Sequence, residues 1–203
     1  MKKKKDENTE VQILEAAKRI FQTKGMDGAR MQEIANEAGI NKAMLHYYYR
    51  SKQLLFEAVF KNAFSLLAPQ LNTILNDDSS IEEKIRKFSS NYISFIEKHP
   101  YLPNFIIQEL NRNPGFIFKM EENKSFPNLE KFKKQVDDEV DKGFIKKISA
   151  PQLFINIMSL NVFPFVAKPL LQNLIKVSDE EYQKIVEERK TEVANFIINS
   201  IKI

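Results

Sequence analysis

The chain has 203 residues, of which 43% are hydrophobic and 29% are charged, which is typical of a globular protein rather than a disordered one. It contains no cysteine and only two histidines, so the sequence excludes disulfides, zinc–thiolate sites, iron–sulfur clusters, a cysteine nucleophile and a multi-histidine metal site. No apolar run approaches the roughly 20 residues that span a bilayer, and the lysines at 2–5 precede no apolar stretch. These features predict a cytoplasmic protein without a membrane partner.

The positive charge is concentrated near the N-terminus. The net charge is +4, and residues 1–60 contain 11 Lys and Arg against 8 Asp and Glu, whereas the remaining residues contain 20 against 19. This distribution favours a polyanionic partner for the first third of the chain. A solvated lysine tail without any partner is the alternative explanation.

Apolar residues recur at helical spacing along most of the chain, without the sustained alternation that is typical of strands. Capping boxes beginning at Thr9, Ser80 and Ser178 predict the starts of three helices. The spacing predicts an all-α protein of about nine or ten helices.

Glycine and proline mark where several of these helices should end. Gly25 is expected to stop the first helix. A helix over about 151–163 is expected to stop before Pro164, and Pro169 is expected to interrupt the segment after it.

Residues 30–49 are expected to contain a helix-turn-helix. Ala35 offers a small side chain where two helices must approach closely, and Gly39 lies four residues later, where the turn requires a positive φ. Side chains near the N-terminus of the second helix of such a motif reach base edges in the major groove. The outward-facing residues of that helix are expected to be Lys42, Ala43, Met44, His46 and Tyr47.

The residue types on this second helix suit contact with DNA. Lys42 can donate to guanine acceptors or to phosphate, Met44 offers an apolar surface to a thymine methyl, and small Ala43 lets the helix approach the bases. His46 and the tyrosines can donate to phosphate oxygens. Core packing is the alternative for the tyrosines and is preferred for Tyr49, while a surface histidine without a role explains His46 equally well.

Residues 11–60 resemble the N-terminal domain of TetR-family transcriptional regulators. The resemblance is strongest over Gly39-Ile40-Asn41-Lys42-Ala43-Met44-Leu45-His46-Tyr47-Tyr48-Tyr49-Arg50-Ser51-Lys52, and Ala29-Arg30-Met31-Gln32-Glu33-Ile34-Ala35 is similar to the opening of the family's second helix. The resemblance implies base contacts from Lys42, Ala43, Met44 and His46. It implies phosphate contacts from Arg30, Asn41, Tyr47, Tyr48 and Lys52.

The sequence departs from the family pattern at three of these positions. Ala43 replaces a common glycine and Met44 replaces a common threonine, which makes apolar contact with a base the more favoured mode. Arg30 replaces the usual Thr or Ser at the N-cap of the second helix, which weakens that cap and gains reach to a phosphate. The bound DNA sequence therefore cannot be transferred from a relative.

The resemblance also implies the domain organisation and the function. A three-helix helix-turn-helix domain over 7–67 is expected to join, through a shared helix, a helical effector-binding and dimerisation domain over 68–203. Such a protein is expected to be a homodimeric repressor, released from a near-palindromic operator in double-stranded DNA by a small apolar or aromatic effector. The alternative is a helical regulator or scaffold of the same fold without small-molecule control.

Sixteen phenylalanines favour either a dense core or an apolar cavity in the C-terminal part. A buried side-chain amide needs a partner, which a ligand can supply. The candidate effector pocket consists of Tyr92, Asn104, Phe105, Gln108, Asn156, Met158 and Asn161. The broad apolar faces of the late helices predict a two-fold dimer interface, formed by Phe154, Ile157, Phe196, Ile197 and Ile201.

The common enzyme signatures are absent from the sequence. There is no Gly-x-Ser-x-Gly, no Walker A, no Gly-x-Gly-x-x-Gly and no His-Glu-x-x-His. Carboxylate pairs such as Glu82-Glu83 fit exposed helix starts. A cofactor-free helical enzyme is therefore the least favoured hypothesis, and no catalytic residue, cofactor or metal site is predicted.

Overall fold

The computed structural model describes residues 2–115 and 128–203, which form ten helices and, within those ranges, no β-strand. The chain divides into two compact units, Met1–Ser65 and Leu66–Ile203. The all-α class predicted from the helical spacing is confirmed. An isolated antiparallel bridge joins Ile145 to Lys202.

The first unit contains α1 (Lys2–Gly28), α2 (Met31–Glu37), α3 (Lys42–Tyr48) and the beginning of α4 (Lys52–Asn76). Its core is apolar and includes Phe21 and Phe56, whose rings meet edge to face with centroids 4.9 Å apart. The expected interruption at Gly25 is confirmed, because this residue leaves the helical conformation with a φ of 66°. The expected start at Thr9 is wrong: α1 begins at Lys2, and the four lysines that open it are good helix formers.

The second unit contains the end of α4 and six further helices: α5 (Ile81–Lys98), α6 (Leu102–Arg112), α7 (Glu130–Asp141), α8 (Ala150–Val166), α9 (Lys168–Ile175) and α10 (Asp179–Ile201). Helix α5 packs extensively on α10, and α8 contacts α5, α6, α7, α9 and α10. The predicted capping boxes at the starts of α5 and α10 are present, since the Ser80 and Ser178 hydroxyls accept from the amides of Glu83 and Glu181, each at 3.2 Å.

Proline does not end α8 where the sequence indicated. Pro164 lies inside the helix, which continues to Val166, and Pro169 lies in the first turn of the unpredicted α9. Proline removes the amide that would bond to the carbonyl four residues earlier. Arg189 supplies the missing donor, because its guanidinium donates to the Leu160 carbonyl at 2.6 Å.

Among the described residues, no single helix has the length and apolar character that a membrane span requires. Helices α8 and α9 meet that test only as a pair, and they bend by 77° at the break between them.

Candidate nucleic-acid interface

The predicted helix-turn-helix is formed by α2, a tight turn and α3. Gly39 has a φ of 67°, and a Cβ atom there would meet no heavy atom within 4 Å, so backbone conformation alone selects glycine. The turn is closed by the Ile40 amide, which donates to the Ala35 carbonyl at 3.0 Å. Ala35 is fully buried, in agreement with the close approach inferred from its small side chain.

Two apolar side chains and one cap hold α3 in place. Ile34 from α2 and Leu45 from α3 are both 0% exposed. The Asn41 side-chain oxygen accepts from the Met44 amide at 2.7 Å, which caps the N-terminus of α3. This cap leaves the Asn41 amide nitrogen as the part of the side chain that can still donate to a phosphate.

The outer face of α3 is exposed over its whole length. Met44 is 43% exposed and Tyr47 is 82% exposed, values that are high for large apolar or aromatic side chains. The exposed set matches the predicted outward-facing residues, which are Lys42, Ala43, Met44, His46 and Tyr47. An exposed helix with one cationic, one thioether and two aromatic side chains can enter a major groove and contact both base edges and phosphates.

The three consecutive tyrosines have different environments. Tyr47 is exposed, and its ring meets the half-buried Tyr48 ring edge to face with centroids 5.5 Å apart. Tyr49 is half-buried and donates its hydroxyl to the Glu10 carboxylate at 3.0 Å. Burial, together with Glu10, raises the pKa of the Tyr49 phenol. Tyr49 is therefore hydrogen-bonded to α1, and it is only half-buried where the sequence favoured core packing.

The N-terminus of α2 lacks a side-chain cap at Arg30 and uses Glu33 instead. The Arg30 amide donates to the Glu33 carboxylate at 3.4 Å, and the exposed guanidinium makes no cap. Glu33 also pairs with Lys24 at 3.0 Å, which is the main reason its pKa is lowered. The Arg30 side chain is exposed, and its predicted phosphate contact stays a prediction.

Lys52 has a structural role that the sequence did not indicate. Its ammonium donates to the carbonyls of Asp27 and Ala29 at 3.2 and 3.1 Å, and so satisfies acceptors beside the end of α1. A lysine ammonium has three protons, so one remains for the predicted phosphate contact.

The predicted effector-pocket residues fall into three groups according to how deeply they are buried. Tyr92 and Asn161 are buried, while Asn104, Phe105 and Met158 are half-buried. Gln108 and Asn156 are exposed on the outer faces of α6 and α8. Met158 lines an open apolar groove of about 490 Å³ together with Ile107, Ser159, Leu160, Val162, Phe163 and Val166.

The predicted dimer residues also differ in their exposure to solvent. Ile157, Ile197 and Ile201 are at most 3% exposed and pack inside their own protomer, because they lie on the inward faces of α8 and α10. Phe154 is half-buried, with its ring 6.3 Å from that of Phe132. Phe196 is 67% exposed and remains available to a second copy. The outward positions of α8 add Ile155 and Phe163, which are 53% and 54% exposed.

Sequence reasoning missed Glu109 on α6. Its side chain is only 4% exposed, and Oε1 has no hydrogen-bond partner among the residues that the structure describes. Its spacing from the apolar Leu102 and Ile106 is the signal that could have identified it, because these three positions lie on one helix face. No cluster of metal-binding side chains occurs within the described ranges.

Residues 13–59 match the family model described as "Bacterial regulatory proteins, tetR family". The chain is 21% identical over 188 residues to the "Probable HTH-type transcriptional regulator YttP" of Bacillus subtilis, covering 90% of this chain and 91% of the relative. It is 35% identical over 77 residues to the HTH-type transcriptional regulator RutR of Escherichia coli K12, which covers 36% of each protein. The crystal structure of a TetR family transcription regulator from Marinobacter aquaeolei VT8 shares the fold, with a TM-score of 0.67 at 18% identity over 98% of both chains.

Proposed function

Because the chain belongs to the TetR family of transcriptional regulators, we propose that it is a homodimeric repressor that binds a near-palindromic operator in the cytoplasm and leaves it when a small molecule binds. Regulators of this family bind DNA and are not enzymes. The observation that carries the proposal is the rigidly held α3, whose outer face is exposed and bears the residues suited to base and phosphate contact. Repression is favoured because a bound dimer excludes other proteins from the same DNA.

A gel shift on the DNA upstream of the protein's own gene, repeated over a salt series, tests this function. A specific complex is expected whose affinity falls steeply with salt, because Lys and Arg contacts release counterions from the phosphates. A scaffold of the same fold, the alternative function, would bind operator and scrambled DNA alike or not at all. The operator that the gel shift or a library selection identifies also serves to test the DNA-contacting residues and effector release.

Lys42→Ala and Met44→Ala are expected to change base preference at the operator. Loss of each contact should reduce discrimination by about 1–3 kcal/mol at one or two positions, because both side chains lie exposed on α3. Library selection with each variant measures this preference. Lys61→Ala, which removes an exposed lysine from α4, is the matched control and should leave the selected sequence unchanged. Unchanged preference in both α3 variants would remove these residues from the base-reading surface.

The exposed apolar side chains of α8 and α10 support the homodimer. Ile155, Phe163 and Phe196 are each more than half exposed, on two helices that contact one another. Burial of such side chains against a second copy removes about 25 cal/mol of unfavourable hydration per Å². The isologous contact that a two-fold dimer makes would also supply two recognition helices for two half-sites.

Light scattering after size exclusion is expected to give about 47 kDa, which is twice the chain mass of 23.7 kDa. Phe196→Glu should shift the mass toward the monomer, because it places a charge at the centre of the proposed contact. Phe144→Glu is the matched control, since Phe144 is 68% exposed but lies outside α8 and α10. A wild-type monomer at micromolar concentration would contradict the proposed assembly.

Effector control is supported by the second unit itself. It holds an apolar groove of about 490 Å³ and buried polar atoms without partners on the inward faces of its helices. Ligand sites are mostly apolar with a few polar groups that orient the ligand. A coupling free energy of about 1–3 kcal/mol between effector binding and operator binding would reduce the affinity for the operator roughly 5–150-fold.

A further inference from the structure

Four buried side-chain oxygen atoms in the second unit have no hydrogen-bond partner among the described residues, and three of them belong to buried residues: Glu109 Oε1, Asn161 Oδ1 and Ser89 Oγ. Their residues are 4%, 1% and 0% exposed. Burying a polar atom without a partner is unfavourable, and burying an unpaired charged group is more so. Native proteins leave few such atoms, so each one needs a reason.

These oxygens lie on the inward faces of three helices that pack together. Glu109 shares its face of α6 with Leu102 and Ile106, and Asn161 shares its face of α8 with Leu153 and Ile157. Ser89 lies on the buried face of α5. Helix α8 contacts both α5 and α6, so the three oxygens lie on the buried faces of helices that are joined through α8.

All three atoms can accept a hydrogen bond. The Asn161 amide nitrogen already donates to the Ile157 carbonyl at 2.8 Å, which leaves its oxygen as the free end of the side chain. Glu109 forms no ion pair with any described residue. Burial raises the pKa of the Glu109 carboxyl, and a contact with Asn113 opposes this effect only in part. The buried faces of these helices therefore offer acceptors and one carboxyl group that has no counter-charge among the described residues.

We propose that the effector is an apolar molecule bearing a hydrogen-bond-donating cation, such as a primary ammonium, and that Glu109 binds this cation with help from Asn161. An ammonium group supplies several donors to a region that holds unpaired acceptors, and its charge offsets that of the buried carboxylate. The apolar residues around them bind the rest of the molecule. This inference rests on the proposed effector control and names the class of ligand.

The test compares phenylalkyl amines, alcohols and carboxylates of equal chain length by titration calorimetry and by operator release. The wild-type protein is expected to bind the amine at least about tenfold more tightly than the matched alcohol, and to bind the carboxylate most weakly. In Glu109→Gln, the amine and the alcohol should bind within about threefold of one another. Asp137→Asn, which neutralises an exposed carboxylate on α7, should keep the wild-type ratio.

The outcomes separate this inference from the effector control on which it rests. Equal binding of amine and alcohol by the wild-type protein, with operator release by both, would overturn the cation site and leave effector control intact. Preferential amine binding without operator release would support the cation site and overturn effector control. Binding of no probe, or an unchanged preference in a folded Glu109→Gln variant, would overturn the cation site.

Discussion

Replacement of Asp77 by asparagine is expected to lower the free energy of unfolding by about 3–5 kcal/mol, because it removes the carboxylate that pairs with the buried ammonium of Lys84. Lys84 is 1% exposed, and its ammonium lies 2.6 Å from the Asp77 carboxylate and 2.7 Å from the Asp77 carbonyl. The same ammonium reaches the Leu75 carbonyl at 3.4 Å, so it also satisfies acceptors at the end of α4. Urea unfolding at pH 7 measures the change.

Asp78→Asn is the matched control for this substitution. Asp78 is the next residue, and its carboxylate also pairs with a lysine, Lys131, at 2.6 Å. Its side chain is 96% exposed, however, and exposed ion pairs contribute little to stability. The control should therefore leave the urea midpoint nearly unchanged. Equal losses in the two variants would show that the burial of Lys84 is not what makes the Asp77 pair important.

The Asp77 pair also predicts how stability depends on pH. Burial acts to raise the pKa of Asp77, but hydrogen bonds from Lys84, Ser79 and Lys87 outweigh it and lower the pKa below its usual value of 3.8. A carboxyl group whose pKa is lowered by folding adds stability above its unfolded pKa, and that stability is lost as the pH falls through the folded pKa. The difference in free energy of unfolding between the wild type and Asp77→Asn should therefore be constant near neutral pH and shrink below about pH 4.

The elements that were predicted correctly depend on residues close together in the chain. The turn between α2 and α3 follows from Ala35 and Gly39, because a buried small residue and a positive φ are requirements that neighbouring positions reveal. The capping boxes at Ser80 and Ser178 are likewise complete within four residues. Exposure along α3 follows from helical periodicity once Leu45 is recognised as its inward-facing residue.

The features that were missed depend on partners distant in sequence. Pro164 is tolerated inside α8 because Arg189, 25 positions later, donates to the carbonyl that proline leaves free. Lys52 satisfies carbonyls that lie more than 20 residues before it. Three of the five predicted dimer residues pack inside the protomer, because an apolar helix face does not indicate which chain covers it. Tertiary contacts of this kind have no local signature.

Leu45→Ala is expected to have the second large effect, on both stability and DNA binding. Leu45 is 0% exposed and is the buried residue of the short α3. Truncating a buried leucine to alanine costs about 2–5 kcal/mol, since the lost burial and the remaining cavity both contribute. Leu45→Met, which conserves volume, should cost less than about 1.5 kcal/mol.

The consequence for DNA binding depends on the size of α3. A seven-residue helix has too few internal hydrogen bonds to be stable alone, so its orientation depends on its packing contact with α2, and Leu45 is the buried residue of α3. Loosening that contact should weaken operator binding although Leu45 touches no DNA. Leu54→Ala is the control, because Leu54 is 49% exposed at the start of α4.

Urea unfolding and operator titration on the same preparations measure the two effects of Leu45→Ala together. Loss of stability and loss of operator affinity are expected in parallel across Leu45→Ala, Leu45→Met and Leu54→Ala, since one buried contact underlies both. Full operator affinity in a destabilised Leu45→Ala variant would show that DNA itself can hold α3 in its binding orientation, and that the protein need not pre-form the interface.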